Sequence, residues 1–386
     1  MTDYELLRPY ATETQLKYID AIKNYGSQSK AARGLNVNPR SVSLSLKRLK
    51  DEAARRGFSP EHGINNPLPE SQYLKGTSRL VDQEGNTVLT WYKSSEDKER
   101  QEELLKEAVK ALCENIKPLK PVKAPKQSNS DLLNCYVITD YHLGMLAWGE
   151  ESGDDWDAKI AESLLYNWFK EAIKSSPDSE TAILCNLGDF LHYDGLEPVT
   201  PAHHNVLDAD TRFQKLVRIT IRVFRRIIDD LLKKHKNVYV IMAEGNHDPA
   251  SSIWLREMFS TLYEKEKRVT VDLNPDPYYC FEHGKTSLFF HHGHKRKPAN
   301  IDDVFVAKFR DVFGRTKHSY AHLGHLHNKQ VKESNLMVVE QHRTLAAKDA
   351  YASRGGWISG RDASVITYHK SFGEVGRVTI NPNMIQ

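Results

Sequence analysis

The chain has 386 residues, 39% of them hydrophobic and 27% charged, the balance of a globular protein with room for two or three domains. No apolar run approaches the roughly 20 residues that a bilayer-spanning helix needs. The opening MTDYELLRPYATETQ lacks the basic and apolar stretches of a secretory leader, so a membrane or secreted protein is not expected and a cytoplasmic one is.

Net charge is only +3, but residues 1–60 hold 11 Lys and Arg against 6 Asp and Glu, a net of +5 that leaves −2 for the rest. The N-terminal segment is therefore the candidate for meeting a polyanion. The four cysteines lie far apart without a CxxC spacing, which reads as free thiols in a reducing compartment. Histidine is the unusual count, 17, with many after residue 190.

From residue 11, ATETQLKYIDAIKNYGSQSKAARGLNVNPRSVSLSLKRLKDEAARRGF predicts three helices. Thr12 and Gln15 make a capping box, and Leu16, Ile19, Ala21 and Ile22 form an apolar stripe that Gly26 ends. Ser27 opens a short second helix with the small Ala31 and Ala32. After the turn GLNVN, Asn38 caps a third helix with Pro39 at its first position. Val42, Leu46 and Leu49 face inward, leaving Arg40, Lys47, Arg48, Lys50, Arg55 and Arg56 outside. The pattern resembles a helix-turn-helix DNA-binding unit, whose third helix would enter the major groove. That resemblance implies DNA contacts from Arg40, Ser41, Ser43, Ser45, Lys47, Arg48 and Lys50. A basic three-helix bundle used for protein contacts is the alternative.

Residues 74–93 alternate around Glu84-Gly85-Asn86 and predict a β-hairpin. A charged amphipathic helix is expected over 94–116, with Ser94 or Ser95 as cap, and KPLKPVKAPKQSNS reads as an extended Pro/Lys linker. The expected division is thus 1–60, a helical DNA-binding domain; 61–130, hairpin, helix and linker; and 131–386, an α/β catalytic domain.

Beyond residue 131 apolar strands alternate with helices, predicted over about 157–175 and 207–236. Five strands stop in polar motifs: Asp140-Tyr141-His142, Gly188-Asp189, Gly245-Asn246-His247-Asp248, His291-His292-Gly293-His294 and Gly324-His325-Leu326-His327. Strand ends are where α/β sheets collect ligands. Mixed imidazoles and carboxylates suit borderline divalent metals, and two such ions about 3.5–4 Å apart need a bridging anion. A D-x-H on an extended chain would aim both side chains at one ion.

The order D-x-H, G-D, G-N-H-D, H-G-H, G-H-x-H resembles the calcineurin-like metallophosphoesterases, over about residues 131–345. The resemblance implies an αββα sandwich with two divalent ions, Mn²⁺ foremost and Fe²⁺, Zn²⁺ or Mg²⁺ as alternatives. Asp140, His142 and His327 would hold the first ion, Asp189 would bridge, and Asn246, His292 and His325 would hold the second. His291 and His294 would support them. The paired ions would turn a water into the nucleophile, and His247 would stabilise charge on the phosphate and protonate the leaving oxygen, with Asp248 orienting the turn.

In GDFLHYDG, His192 stands where protein phosphatases of the superfamily carry Asp followed by Arg. G-D-x-x-H resembles instead the nuclease subunit of double-strand-break repair complexes and bacterial exonucleases, which would give His192 a role on the substrate phosphate; a hydrogen bond to a ligand is the alternative. His203, His204, Asp208 and Asp210 are candidates for lining a substrate groove, and Arg354, Arg361 and His369 for reaching a phosphate. A basic head on such a domain is also similar to bacteriophage proteins, which would place the chain in a host cytoplasm. The leading expectation is a DNA nuclease that recruits its own substrate and that can form a homo-oligomer. A phosphoesterase acting on a small ester or nucleotide is the second reading, and a DNA-binding regulator with a vestigial metal site the third.

Overall fold

Thr12 and Gln15 close the expected capping box, with Thr12 N donating to Gln15 Oε1 at 2.9 Å, and three helices follow. They are α1 (Glu13–Tyr25), α2 (Gln28–Gly34, capped by Ser27) and α3 (Pro39–Arg55, capped by Asn38). A computed structural model describes residues 4–62, 64–65, 72–81, 87–96 and 122–385. The chain divides into two compact units, Met1–Asn115 and Ile116–Gln386.

In the first unit Leu7, Ile19, Ala32, Val42, Leu46, Leu49 and Ala53 form one small core. Arg40, Ser41, Ser43, Lys47 and Arg48 are exposed on α3, whereas Lys50 is half-buried and pairs with Glu61 at 3.0 Å. Arg56 likewise pairs with Glu52 at 2.9 Å. Strand β1 (Phe58–Ser59) pairs with β2 (Ile64–Asn65), and β3 (Gln72–Val81) with β4 (Thr87–Glu96), the expected hairpin. The hairpin's turn, Cys113 and most of the expected charged helix lie outside the described residues. Ser94 and Ser95 do not cap that helix: they pair with Leu74 and Tyr73, extending β4.

The second unit is layered by simple alternation. On β5 (Asn129–Ile138), Leu133, Cys135 and Val137 enter one core while Tyr136 and Ile138 enter another, because successive side chains point to opposite faces. β6 (Ser179–Asn186), β7 (Asn237–Met242) and the short β8 (Val269–Val271) lie parallel beside it, and the antiparallel β14 (Ala363–His369) and β15 (Gly373–Ile380) complete a six-stranded sheet. A second sheet runs β12 (Gln330–Glu333), β13 (Val338–Gln341), β11 (His318–Leu323), β10 (Thr286–Phe290), β9 (Tyr279–His283).

Leu288 and Phe290 of β10 meet Cys135, Ile183 and Ile241 between the two sheets. Helices α4 (Ala158–Ser175), α5 (Phe213–Lys234) and α6 (Pro249–Leu262) cover the outer face of the first sheet through Trp168, Phe224, Ile228 and Phe259. Helix α7 (Ile301–Lys308) covers the second through Ile301 and Phe305. The result is the αββα sandwich.

Three sequence expectations need correcting. The long helix starts at Phe213, not near 207, because residues 208–210 are tied to the segment after β5: Leu146 N donates to Asp208 O at 2.9 Å and Asp210 N to Gly144 O at 3.0 Å. Strand β5 begins at Asn129, inside the expected linker, with Asn129 N bonded to Asp178 O at 2.9 Å. Val122 already packs on the core of the second unit, so the linker is shorter than read. Among the described residues no helix is long and apolar enough to cross a membrane.

Candidate metal centre

All five polar motifs leave the C-terminal ends of neighbouring parallel strands: β5, β6 and β7 in one sheet, β10 and β11 in the other. Asp140, His142, Asp189, His325 and His327 all have positive φ, between +46° and +78°. A side chain rarely adopts that conformation, at a cost of order 1–3 kcal/mol, unless surroundings impose it. Here hydrogen bonds between exit turns do so: Asp140 N to Gly188 O and His142 N to Asp189 O, both 3.0 Å. The expected extended D-x-H is therefore corrected. Asp140 and His142 converge because both are left-handed.

Glycines make the turns possible. A Cβ on Gly245 would collide with the Asp189 carboxylate and backbone nitrogen, and one on Gly324 with Thr139 Oγ1.

Two donor sets with a motif carboxylate result, Asp140/His142/His327 and Asp189/His292/His325, each with its ligand atoms within 4.8 Å of one another, and His142, His192 and His247 group in the same way. His327 Nε2 lies 3.1 Å from Asp140 Oδ1 and 3.3 Å from His142 Nε2. His292 Nε2 lies 3.0 Å from Asp189 Oδ2, 3.1 Å from Asn246 Oδ1 and 3.9 Å from Asp140 Oδ1, so the sets adjoin and Asn246 belongs with the second. Asp140 and Asp189 are buried, and among the described residues no Lys or Arg pairs with either.

Buried carboxylates need a counter-charge. Burial opposes a charged His292, but Asp189 and Asp140 outweigh it and raise its pKa to about 9. Its Nδ1 faces Leu187 O at 2.9 Å, so a proton there leaves Nε2 as the ligand atom. Oxygen and imidazole donors around carboxylates that no Lys or Arg neutralises among the described residues fit two borderline divalent ions.

Around these sets lies a supporting layer. Thr139 Oγ1 donates to Asp140 Oδ2 at 2.6 Å and Thr344 Oγ1 to Asp140 O at 2.6 Å. Asp248 is fully buried and its carboxylate accepts Asp189 N and Leu191 N, both at 3.0 Å, so it fixes the turn that carries Asp189. Burial and the Asp189 charge push its pKa up to about 7. His247 N donates to Asp189 Oδ1 at 2.7 Å, and its ring Nδ1 sits 2.8 Å from His192 O, leaving Nε2 for the cavity that His247 lines.

His192 itself is 2% exposed, with its Nδ1 3.3 Å from His142 Nδ1. That geometry suits a hydrogen bond to His142, the alternative role expected for His192, and burial pushes its pKa down to about 3. His291 is stacked on Tyr278 at 4.5 Å, and the His294 ring stands 5.3 Å from His292.

The weaker candidates separate. Asp210 caps α4 through Ala158 N at 2.9 Å, and Arg354 is paired with Glu151 at 2.7 Å. His369 pairs with Leu132, at the end of the sheet opposite Asp140. His203 and His204 are exposed on the loop before α5. Thr139, Thr344, Lys348, Tyr351 and Trp357 were not anticipated; the last three line a cavity of about 550 Å³ together with His142, Asp189, Asn246, His247, His325 and His327. Their only sequence signal was a Trp between glycines in RGGWISG.

The sequence model of the calcineurin-like phosphoesterase family matches residues 133–372. No curated protein was found to match. Among solved structures, the chain is similar to a novel archaeal phosphodiesterase (13% identity, 64% of this chain and 99% of that one, TM-score 0.32). It is similar too to Vps29 complexed with Zn²⁺ from Entamoeba histolytica (11%, 65% and 99%, 0.28) and to phosphopantetheinyl hydrolase from Mycobacterium tuberculosis (11%, 59% and 94%, 0.27). At this level of likeness the three carry no argument about what this chain does.

Proposed function

The chain belongs to the calcineurin-like phosphoesterases, and from that premise we propose that it is a metal-dependent phosphodiesterase acting on DNA, which its N-terminal helices hold. What supports the catalytic half is one arrangement: two adjoining donor sets around buried Asp140 and Asp189, with the His247 ring at the same cavity. When bound, two divalent ions, Mn²⁺ foremost, would polarise the phosphate and lower the pKa of an attacking water.

The chain's own residues do the rest. Asp189, grouped with His292 and His325, would be the carboxylate shared by the two ions, and Thr139 and Thr344 hold Asp140 in place. His192 O keeps the His247 ring in one orientation, so that Nε2 can give its proton to the leaving oxygen. Asp248 and the glycine turns keep that geometry rigid.

The DNA half rests on the exposed Arg40, Ser41, Ser43, Lys47 and Arg48 of α3 and on the +5 charge of residues 1–60. A second reading, hydrolysis of a nucleotide or other small ester, is favoured by the cavity, whose volume is that of a small-ligand site. The test is hydrolysis of linear, circular and single-stranded DNA with Mn²⁺, beside methyl p-nitrophenyl phosphate, by the protein and by Asp189→Asn. Cleavage of DNA that vanishes in Asp189→Asn along with most bound metal is the expected result. Hydrolysis of the small ester alone would favour the second reading, and full activity in Asp189→Asn would remove the site assignment.

A further inference from the structure

The cavity beside the donor sets has a wall that the phosphoester chemistry does not explain. Trp357 and Tyr351 stand on it 57% and 73% exposed, their ring centroids 5.1 Å apart and their planes at 58°. Large aromatic surfaces left facing water at the mouth of a site mark something that covers them.

The backbone that carries the two rings is tied down by hydrogen bonds. Asp349 caps the helical turn that carries Tyr351 through Ala352 N at 2.7 Å, Gly355 N donates to Tyr351 O at 2.9 Å, and Trp357 N donates to Ala352 O at 3.1 Å. Two cations also line the cavity among the described residues. Arg361 is committed to Asp154 at 2.8 Å and to Leu345 O, but Lys348 has no acidic partner among the described residues.

An unpaired ammonium, exposed rings and a pair of anion-activating donor sets around one volume of about 550 Å³ make a coherent demand. The ligand must be anionic at one end and flat and apolar at the other. We propose that the cavity takes an unpaired nucleotide, its base against Trp357 and Tyr351 and its phosphate met by Lys348. A duplex is too wide for this volume, so the nucleotide is a free one or one from a single strand or frayed end. This rests on the phosphodiesterase reading above and narrows it to nucleobase-bearing phosphates.

The full-length protein with Mn²⁺ is tested on thymidine 5′-(p-nitrophenyl phosphate) and on methyl p-nitrophenyl phosphate, which share a leaving group and differ in the base. Stacking of one base on an aromatic side chain corresponds to about 5- to 150-fold. In Trp357→Ala the ratio of kcat/KM for the thymidine ester over the methyl ester should fall by a factor in that range, carried by KM. Trp357→Phe should retain most of it, and Lys348→Ala should weaken both esters together. An unchanged ratio in Trp357→Ala overturns the proposal.

Binding of thymidine 5′-monophosphate and of a four-residue oligothymidylate, followed by calorimetry, is the second measurement. Tighter binding of the tetramer assigns the site to a strand and tighter binding of the monomer to a free nucleotide; no binding of either, or equal binding to Trp357→Ala, overturns it. If neither ester is hydrolysed but thymidine 5′-monophosphate binds in a Trp357-dependent way, the hydrolytic reading fails and the nucleotide site stands.

Discussion

At His247 the ring is held by one nitrogen and lines the cavity. Nδ1 is held 2.8 Å from His192 O, and its backbone nitrogen donates to Asp189 Oδ1, so the ring is anchored to the loop that carries Asp189; it groups with His142 and His192 and with neither carboxylate-bearing set. His247→Ala should therefore separate binding from chemistry. Metal content, read by elemental analysis, should stay near two ions per chain, while turnover of a phosphodiester falls by roughly 10²- to 10⁴-fold, the usual contribution of an acid–base group. A variant that arrives metal-free would show that His247 holds metal after all. His292 makes the complementary case. Its nitrogens face Leu187 O and the Asp189 and Asn246 oxygens, and nothing about it is presented to a substrate.

Among the elements, the crossover from α5 to β7 shows how the first sheet is locked to its helices. His235, the residue that ends α5, is fully buried, with Nε2 3.0 Å from Tyr136 Oη on β5 and Nδ1 2.9 Å from Ser179 O at the start of β6. Burial pushes its pKa down to about 4 from an ordinary 6.5. The sign follows from proton counting: between pH 6.5 and 4 the unfolded chain carries a proton on this ring that the folded chain refuses. Its contribution is complete above pH 6.5 and is lost as pH falls toward 4, at about 1.4 kcal/mol per pH unit at most. Urea unfolding between pH 7 and 4.5 should show a steeper loss for the wild-type chain than for His235→Asn, which cannot take up the proton. Parallel pH profiles would mean that His235 is not buried as a neutral ring.

For the whole molecule, the decisive feature is that the basic head and the metal centre lie in different compact units, Met1–Asn115 and Ile116–Gln386. Deletion of residues 1–115 leaves Val122 to pack on the catalytic core and accept from Arg268 Nη1 at 2.8 Å. The truncated protein should keep its metal and its hydrolysis of a small diester. If the head grips DNA, affinity for DNA should drop, and the log–log salt dependence should flatten by about 0.9 for each phosphate that the head neutralises. Equal affinity and equal salt slope for the two proteins would remove the DNA-binding role from the head. The half-buried Lys50, paired with Glu61, should contribute less to that slope than the exposed Lys47 and Arg48.

Sequence alone determined what is local and repeated. The caps at Thr12, Ser27 and Asn38 and the apolar strands that stop in Asp, Asn or His were legible because each depends on neighbours a few residues away. The seven ligand candidates could be grouped into sets because their motifs come in a familiar order. What the tertiary structure decided is everything that depends on distant backbone. The left-handed turns at Asp140 and Asp189 exist because two exit loops bond to each other, and residues 208–210 are not helical because they bond to residues 144–146. His192 lies buried against His142, 50 positions earlier in the chain. Tyr351 and Trp357 reach the cavity only because β13 and the chain after it return past the metal centre, a meeting with residues some 200 positions earlier that no local pattern records.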